Sequence, residues 1–240
     1  MRQRLSLIVI IFTCSCSLLD NRANYRDVDI SEFYLPLNED FESLSYHYQV
    51  INESENGKKI SDEYHIITNL HNGKFSFSKY DSNMDLLDSA VISPTPKGVE
   101  IDELHIKPNP FLLTQAFVEP AMIYPWKRTT GEELTNMIFY DTVLEGSQAS
   151  IDTYIESDFI GYQNFENVIS DSTRCAHLKL ETSYQILNRS TGEELEFNSE
   201  TEIYNLKGVG LYKSIESYEN GDRTIKELKL IKKTAHNNGS

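Results

Sequence analysis

The chain has 240 residues, with 22 Lys and Arg against 37 Asp and Glu and a formal charge of −15. That length suits one large domain or two small ones, and 39% hydrophobic with 25% charged residues excludes a disordered chain. The acidic balance excludes sequence-independent nucleic-acid binding, which rests on neutralising phosphates. Three cysteines cannot build a disulfide framework.

Residues 1–15 have the form of a secretory signal. Arg2 and Arg4 supply a positive start and Leu5 to Phe12 a short apolar run, far below the ~20 residues a spanning helix needs. Thr13-Cys14-Ser15-Cys16 follows. A small residue and then Cys, directly after an apolar core, resembles the lipobox of bacterial lipoproteins, although Thr13 stands where that box usually has Leu. The resemblance implies cleavage before the Cys, acylation of it, and a lipid-anchored life in the bacterial cell envelope, at the outer membrane where the cell has one. Cys16 is the preferred acceptor because Ser15 precedes it, with Cys14 the alternative. Cleavage there leaves Cys175 as the sole unmodified thiol, and loss of Arg2 and Arg4 takes the charge to −17. Such a chain is repelled by anionic lipid surfaces, so membrane attachment rests on the N-terminal lipid.

Residues 16–32, poor in large apolar side chains, are expected to be a tether, followed by one β domain over 33–233 and a polar tail over 234–240. Within the domain, period-two alternation dominates. Leu44, Tyr46, Tyr48 and Val50 share a face until Asn56-Gly57; Tyr64, Ile66, Thr68 and Leu70 alternate until Asn72-Gly73; Phe75 and Phe77 open another strand. Strands are also expected over 134–144 and 150–162. Ala176, Leu178, Leu180, Thr182, Tyr184 and Ile186 then alternate up to Thr191-Gly192. Leu195, Phe197, Thr201 and Ile203 follow, then Val209, Leu211 and Ile215, and a last hairpin turns at Asn220-Gly221 into Thr224, Lys226, Leu228 and Leu230. Asn-Gly turns between alternating runs signal hairpins. The fold class is all-β: a curved antiparallel sheet or open barrel of long hairpins.

Two stretches stand apart in composition. Six of the seven prolines fall within residues 94–125, among Phe111, Leu112, Leu113, Phe117, Val118, Tyr124 and Trp126. Proline cannot donate to a strand ladder, so residues 107–121 are expected to be an apolar connector, with room for a short helix, joining halves 33–106 and 122–233. Phe111, Phe117, Tyr124 and Trp126 are the candidate ligand or lid contacts. From Lys207 onwards, seven basic residues face four acidic ones, read here as lysines guarding an exposed sheet edge.

No enzyme motif is present: no Gly-x-Ser-x-Gly elbow, His-Glu-x-x-His, phosphate loop or Cys-x-x-Cys. The six histidines are scattered singly, which points to no metal site and no cofactor. Cys175 and His177 would share a strand face, yet a dyad needs further orienting groups, and a small buried thiol is the simpler reading. No catalytic residue is assigned.

Phe165 to Leu230, with Cys175 on a strand after a Phe-bearing loop and Gly208-Val209-Gly210-Leu211-Tyr212-Lys213-Ser214 before the last hairpin, resembles a group of uncharacterised β-rich bacterial exported proteins. Tyr34-Leu35-Pro36-Leu37 resembles that group's opening motif. The resemblance implies an open half-barrel, lipoprotein-carrier-like fold around an apolar cavity. The expected function is a non-enzymatic binder of an apolar or amphipathic ligand. The alternative is an interaction lipoprotein docking another envelope protein, and a hydrolase of envelope glycans or peptides is the third.

Overall fold

Alternation becomes a wall with an inside and an outside. In the computed structural model, residues 27–37, 40–109, 112–144, 146–166, 169 and 173–235 are described. The strands are β1 (Asp27–Asp29), β2 (Ser43–Ser54), β3 (Gly57–Asn69), β4 (Phe75–Tyr80), β5 (Leu86–Pro94), β6 (Gly98–Asn109), β7 (Leu112–Glu119) and β8 (Met122–Pro125). They continue with β9 (Lys127–Thr129), β10 (Leu134–Leu144), β11 (Ser147–Asn164), β12 (Arg174–Asn188), β13 (Glu194–Leu206), β14 (Gly210–Tyr218) and β15 (Arg223–Thr234). Every pairing among them is antiparallel, and β5 pairs with β6. That last pairing turns a curved sheet into a closed ring of twelve strands, β8 lying outside it on β6.

The inward row is continuous around the ring. Tyr48 lies opposite Glu63 and Leu228, Leu178 opposite Ile203, and Ile155 opposite Thr182 and Asn136. The outer face of β12 and β13 carries Lys179, Glu181, Gln185, Glu196, Glu200 and Glu202. A barrel that spans a membrane shows the opposite polarity, apolar towards lipid, whereas the outer face of these two strands is charged and polar. No helix among the described residues is long and apolar enough to cross a membrane.

Turn chemistry fixes which row points inward. The β2–β3 hairpin pairs Ser54 with Gly57, which holds φ +118°, a backbone angle that glycine adopts without strain. From that anchor the register places Glu63, His65 and Ile67 inside and Tyr64 and Ile66 outside. Side chain polarity yields here to pairing, because a one-residue slip would turn every neighbouring residue over. A second reversal occurs on β14. A bulge opposite Tyr204/Asn205 changes the parity of the strand, so Leu211 reaches the lumen while Ile215 pairs with Ile225 on the outer face. Val209, Leu211 and Ile215 therefore do not share a face.

Three sequence expectations need correcting. Residues 27–32 belong to the folded body rather than a tether: β1 pairs with β9, Ile30 donates to the Trp126 carbonyl at 2.8 Å, and Ile30 and Phe33 are buried. Residues 107–121 hold no helix among the described positions. β6 runs through Pro108 to Asn109 and β7 occupies Leu112–Glu119, tolerated because β6 pairs only intermittently with β7 beyond Ile106. Finally, β15 is no edge: it lies between β14 and β2, and Lys226 points into the barrel against Glu63.

Residues 27–37 close one end of the barrel. A short 3-10 turn, Ser31–Phe33, places the Glu32 carbonyl to accept from Gly208 N–H at 2.7 Å, beside the β13–β14 turn. Tyr34 then packs at a tilt against Tyr124 (4.4 Å between ring centres) and sits 6.1 Å from Trp126. Leu35 presses on Gly210, where an added Cβ would come within 3.0 Å of its side chain.

Candidate functional site: a cavity in the barrel lumen

Above this cap the lumen is not filled. A cavity of about 310 Å³ remains, walled by half-buried apolar side chains that include Phe77, Val118, Ile138, Ile155, Leu180 and Ile203. Leu178, Tyr46 and Tyr48 complete the wall, and Tyr34, Leu35 and Tyr124 form the floor. Protein interiors are packed to crystal density with few voids larger than a water, so an apolar space of this size is a feature of the fold rather than slack. The phenol groups of the wall are spoken for: Tyr46 donates to the Val209 carbonyl (3.1 Å) and Tyr48 to that of Leu211 (2.9 Å). Burial pushes the Tyr48 hydroxyl well above its ordinary range, so it stays a neutral donor.

Polar groups enter this wall at a few points only. Arg128, 5% exposed, projects from β9 and donates to the Ser157 carbonyl at 2.6 Å and the Ser157 hydroxyl at 3.1 Å. Asn136 donates to the carbonyls of Pro120 and Met122 (2.9 and 3.0 Å), fastening β8 to β10. Asn205 donates to the Tyr124 hydroxyl at 3.3 Å.

On the side of the cavity away from the cap lies a charged layer. Glu63 Oε1 accepts from Lys226 and, at 2.6 Å, from His65 Nε2. An ionised carboxylate can only accept, which fixes the proton on that nitrogen. Burial alone would raise the Glu63 carboxyl, but the His65 hydrogen bond and the Lys226 ammonium override it and hold it down at about 2. Burial, aided by repulsion from Lys226 and Lys79, lowers His65 despite Glu63, so the imidazole is neutral at physiological pH. Lys79 pairs with Asp88 at 3.1 Å next to them. These groups satisfy one another, as buried charges must.

The four aromatics expected at a ligand mouth have separate fates. Tyr124 lines the cavity floor, while Trp126 packs behind it and donates its indole N–H to the Thr95 carbonyl at 2.8 Å. Phe117 lies away from the lumen: it stands 54% exposed on the outer face, stacked on Phe139 at 5.2 Å, because the inward parity of β7 belongs to Ala116 and Val118. Phe111, and Cys14 and Cys16 with the rest of residues 1–26, lie outside the described residues.

Cys175 is fully buried on the outer face of β12 and, pushed up by burial to about 11, is no nucleophile. His177 meets Gln163 at 3.0 Å and stacks on Tyr204 instead of engaging the thiol. No group of three or more His, Cys, Asp or Glu among the described residues is arranged to hold a metal.

Sequence reasoning missed Arg128, Asn136 and the Glu63–Lys226 pair. Asn136 left a signal, since it shares parity with Ile138 on a strand whose inward row is otherwise apolar there. Arg128 left none: it lies on a three-residue strand whose partner, β1, is 100 residues away in the chain.

No protein-family model matches the chain, and no curated protein matches it. Among solved structures, an exported-protein candidate with a YmcC-like fold from Bacteroides fragilis is similar at TM-score 0.44 and 10% identity, over 81% of this chain and 100% of that one. A lipoprotein candidate from Parabacteroides distasonis is similar at TM-score 0.42 and 11% identity, over 83% and 98%. The hypothetical lipoprotein YmcC of Escherichia coli gives 0.36 and 10%, over 80% and 85%. The chain is an all-β, twelve-stranded barrel that is similar in outline to these proteins.

Proposed function

We propose that this protein is a non-enzymatic binder that takes one apolar or amphipathic chain into its barrel, while a lipid on Cys16 moors it in the bacterial cell envelope. The observation that carries the reading is the unfilled lumen cavity of about 310 Å³, apolar on most of its wall and closed beneath by Tyr34, Leu35 and Tyr124. Ligand pockets of small-molecule binders have this character, mostly apolar with a few placed polar groups, and this volume sits at the small end of their range. A single chain suits it better than a multi-chain lipid. The polar outer wall and the −17 charge of a chain cleaved before Cys16 keep the barrel itself off anionic membrane surfaces, which leaves the acyl group as the anchor. Two or more acyl chains hold a protein stably where one does not.

The test is a saturation titration of the soluble form beginning at Ser17 with a fluorescent fatty acid. Saturable binding near one equivalent supports the reading; a linear, unsaturable response discards it. Mass spectrometry of membrane-extracted protein checks the anchor, with an acylated Cys16 expected and an unmodified Cys16 contradicting it.

A further inference from the structure

Among the described residues, the lumen holds one cation without an anion. Glu63 answers Lys226, and Asp88 answers Lys79. Arg128 is as buried as these and also faces the cavity, yet its three hydrogen bonds all go to neutral oxygens: the Ser157 hydroxyl, the Ser157 carbonyl and, at 3.4 Å, the Glu132 carbonyl. Asp158 and Glu132 act on it only from a distance. Asp158 spends its carboxylate on the Gly131 N–H at 3.1 Å instead.

A guanidinium carries five donors; both Nη2 hydrogens and one on Nη1 are used, so Nε–H and one Nη1–H, on different edges of the plane, remain uncommitted among the described residues. Buried arginines without an anionic partner are costly. Here the cost is borne at the wall of an apolar cavity, which Asn136, Ser157 and Asn205 also line.

We infer that Arg128 is an anion-recognition subsite, selecting amphiphiles whose carboxylate or phosphate head accepts from one of its free N–H groups while the chain lies along Ile138, Ile155 and Leu180. This rests on the ligand-binding reading above and sharpens it from an apolar to an anionic amphiphile. Asn136 and Asn205 frame the head, and Ser157, by holding one edge of the guanidinium, fixes the plane of the remaining donors. The exchange is favourable because a charge-assisted pair in a dry cavity is stronger than one in water.

The experiment is displacement of a lumen-bound fluorophore, 1-aminoanthracene, from the full chain in nonionic detergent, with concentrations corrected for micelle partitioning. Decanoate, decyl phosphate and decanol share one chain and differ in the head. The anionic ligands should displace the probe at concentrations on the order of tenfold lower than decanol, and Arg128→Met should bring the three together. A preference confined to decanoate or to decyl phosphate still supports the subsite and says which head it takes. Equal displacement by all three in the unaltered chain overturns the subsite and leaves the cavity binder standing, as does an anion preference that persists in Arg128→Met. Displacement by none of them overturns the cavity reading itself. The comparison in the unaltered chain decides even if the variant fails to fold.

Discussion

The two ends of one lumen solve opposite problems. Towards the cap, the inward rows of β10 to β13 carry Ile138, Ile155, Leu178, Leu180 and Ile203 and leave space between them. Farther along, the inward rows of β3, β4, β5 and β15 carry Glu63, Lys79, Asp88 and Lys226, with Glu63 and Lys226 12% and 16% exposed and Lys79 and Asp88 27% and 28%. The difference teaches that filling a barrel and specifying it are separable tasks. The charged layer is mutually satisfied and ties β15 to β3 across the intervening β2. The apolar half is shaped but unfilled, the condition a ligand site requires.

Four experiments would break or sharpen that contrast. The largest effect belongs to the charged layer. Glu63→Ala leaves Lys226 buried without its partner, which should cost about 3–5 kcal/mol in urea unfolding. The double variant Glu63→Leu with Lys226→Met should recover most of it. A loss below ~1 kcal/mol in the single variant would show the layer to be ornamental.

Acid should act through the same carboxyl. Glu63 is held below its ordinary 4.5, at about 2, so its contribution is complete above 4.5 and is lost as pH falls towards 2. Its size is on the order of 3 kcal/mol. His65, lowered from 6.5, works in the same direction, since the unfolded chain takes up its proton first and stability begins to fall below that value. Thermal unfolding followed from pH 7 downward should show both, and Glu63→Gln should flatten the lower part.

A smaller cost in stability is expected where space exists. Ile138→Trp fills the cavity, at about 1–3 kcal/mol for any overpacking, and should weaken fluorescent fatty-acid binding at least tenfold. Unchanged affinity would place the ligand elsewhere. Smallest of all, Phe117→Ser on the outer face should change stability by less than ~1 kcal/mol and leave that affinity alone.

The same contrast explains what could be read in advance. The hairpins with Asn-Gly turns, the all-β class and the inward row of β12, Ala176 to Ile186, follow from local patterning. So does the inward row of β13. What local pattern cannot supply is parity across a bulge or charge buried in company. Leu211 and Ile215 parted faces because of one extra residue on β14. On β3 the apolar-looking Tyr64 and Ile66 went outside because β2 fixed the register and Lys226, more than 160 residues away, made Glu63 tolerable within. Ring closure through β5 and β6 likewise depends on a pairing beside a proline-rich stretch that reads as a connector. The cavity itself is a difference between the volume enclosed and the volume filled, which no single strand records.

The claim that the apolar half of the lumen is a binding site is tested most directly by paramagnetic broadening. Spin-labelled stearic acid would be titrated into protein with labelled methyl groups. Selective, saturable loss of the Ile138, Ile155, Leu180 and Ile203 signals, with Ile60 and Leu187 on the outer face untouched, is the predicted result. Broadening confined to the outer face, or absent at saturating label, would contradict it.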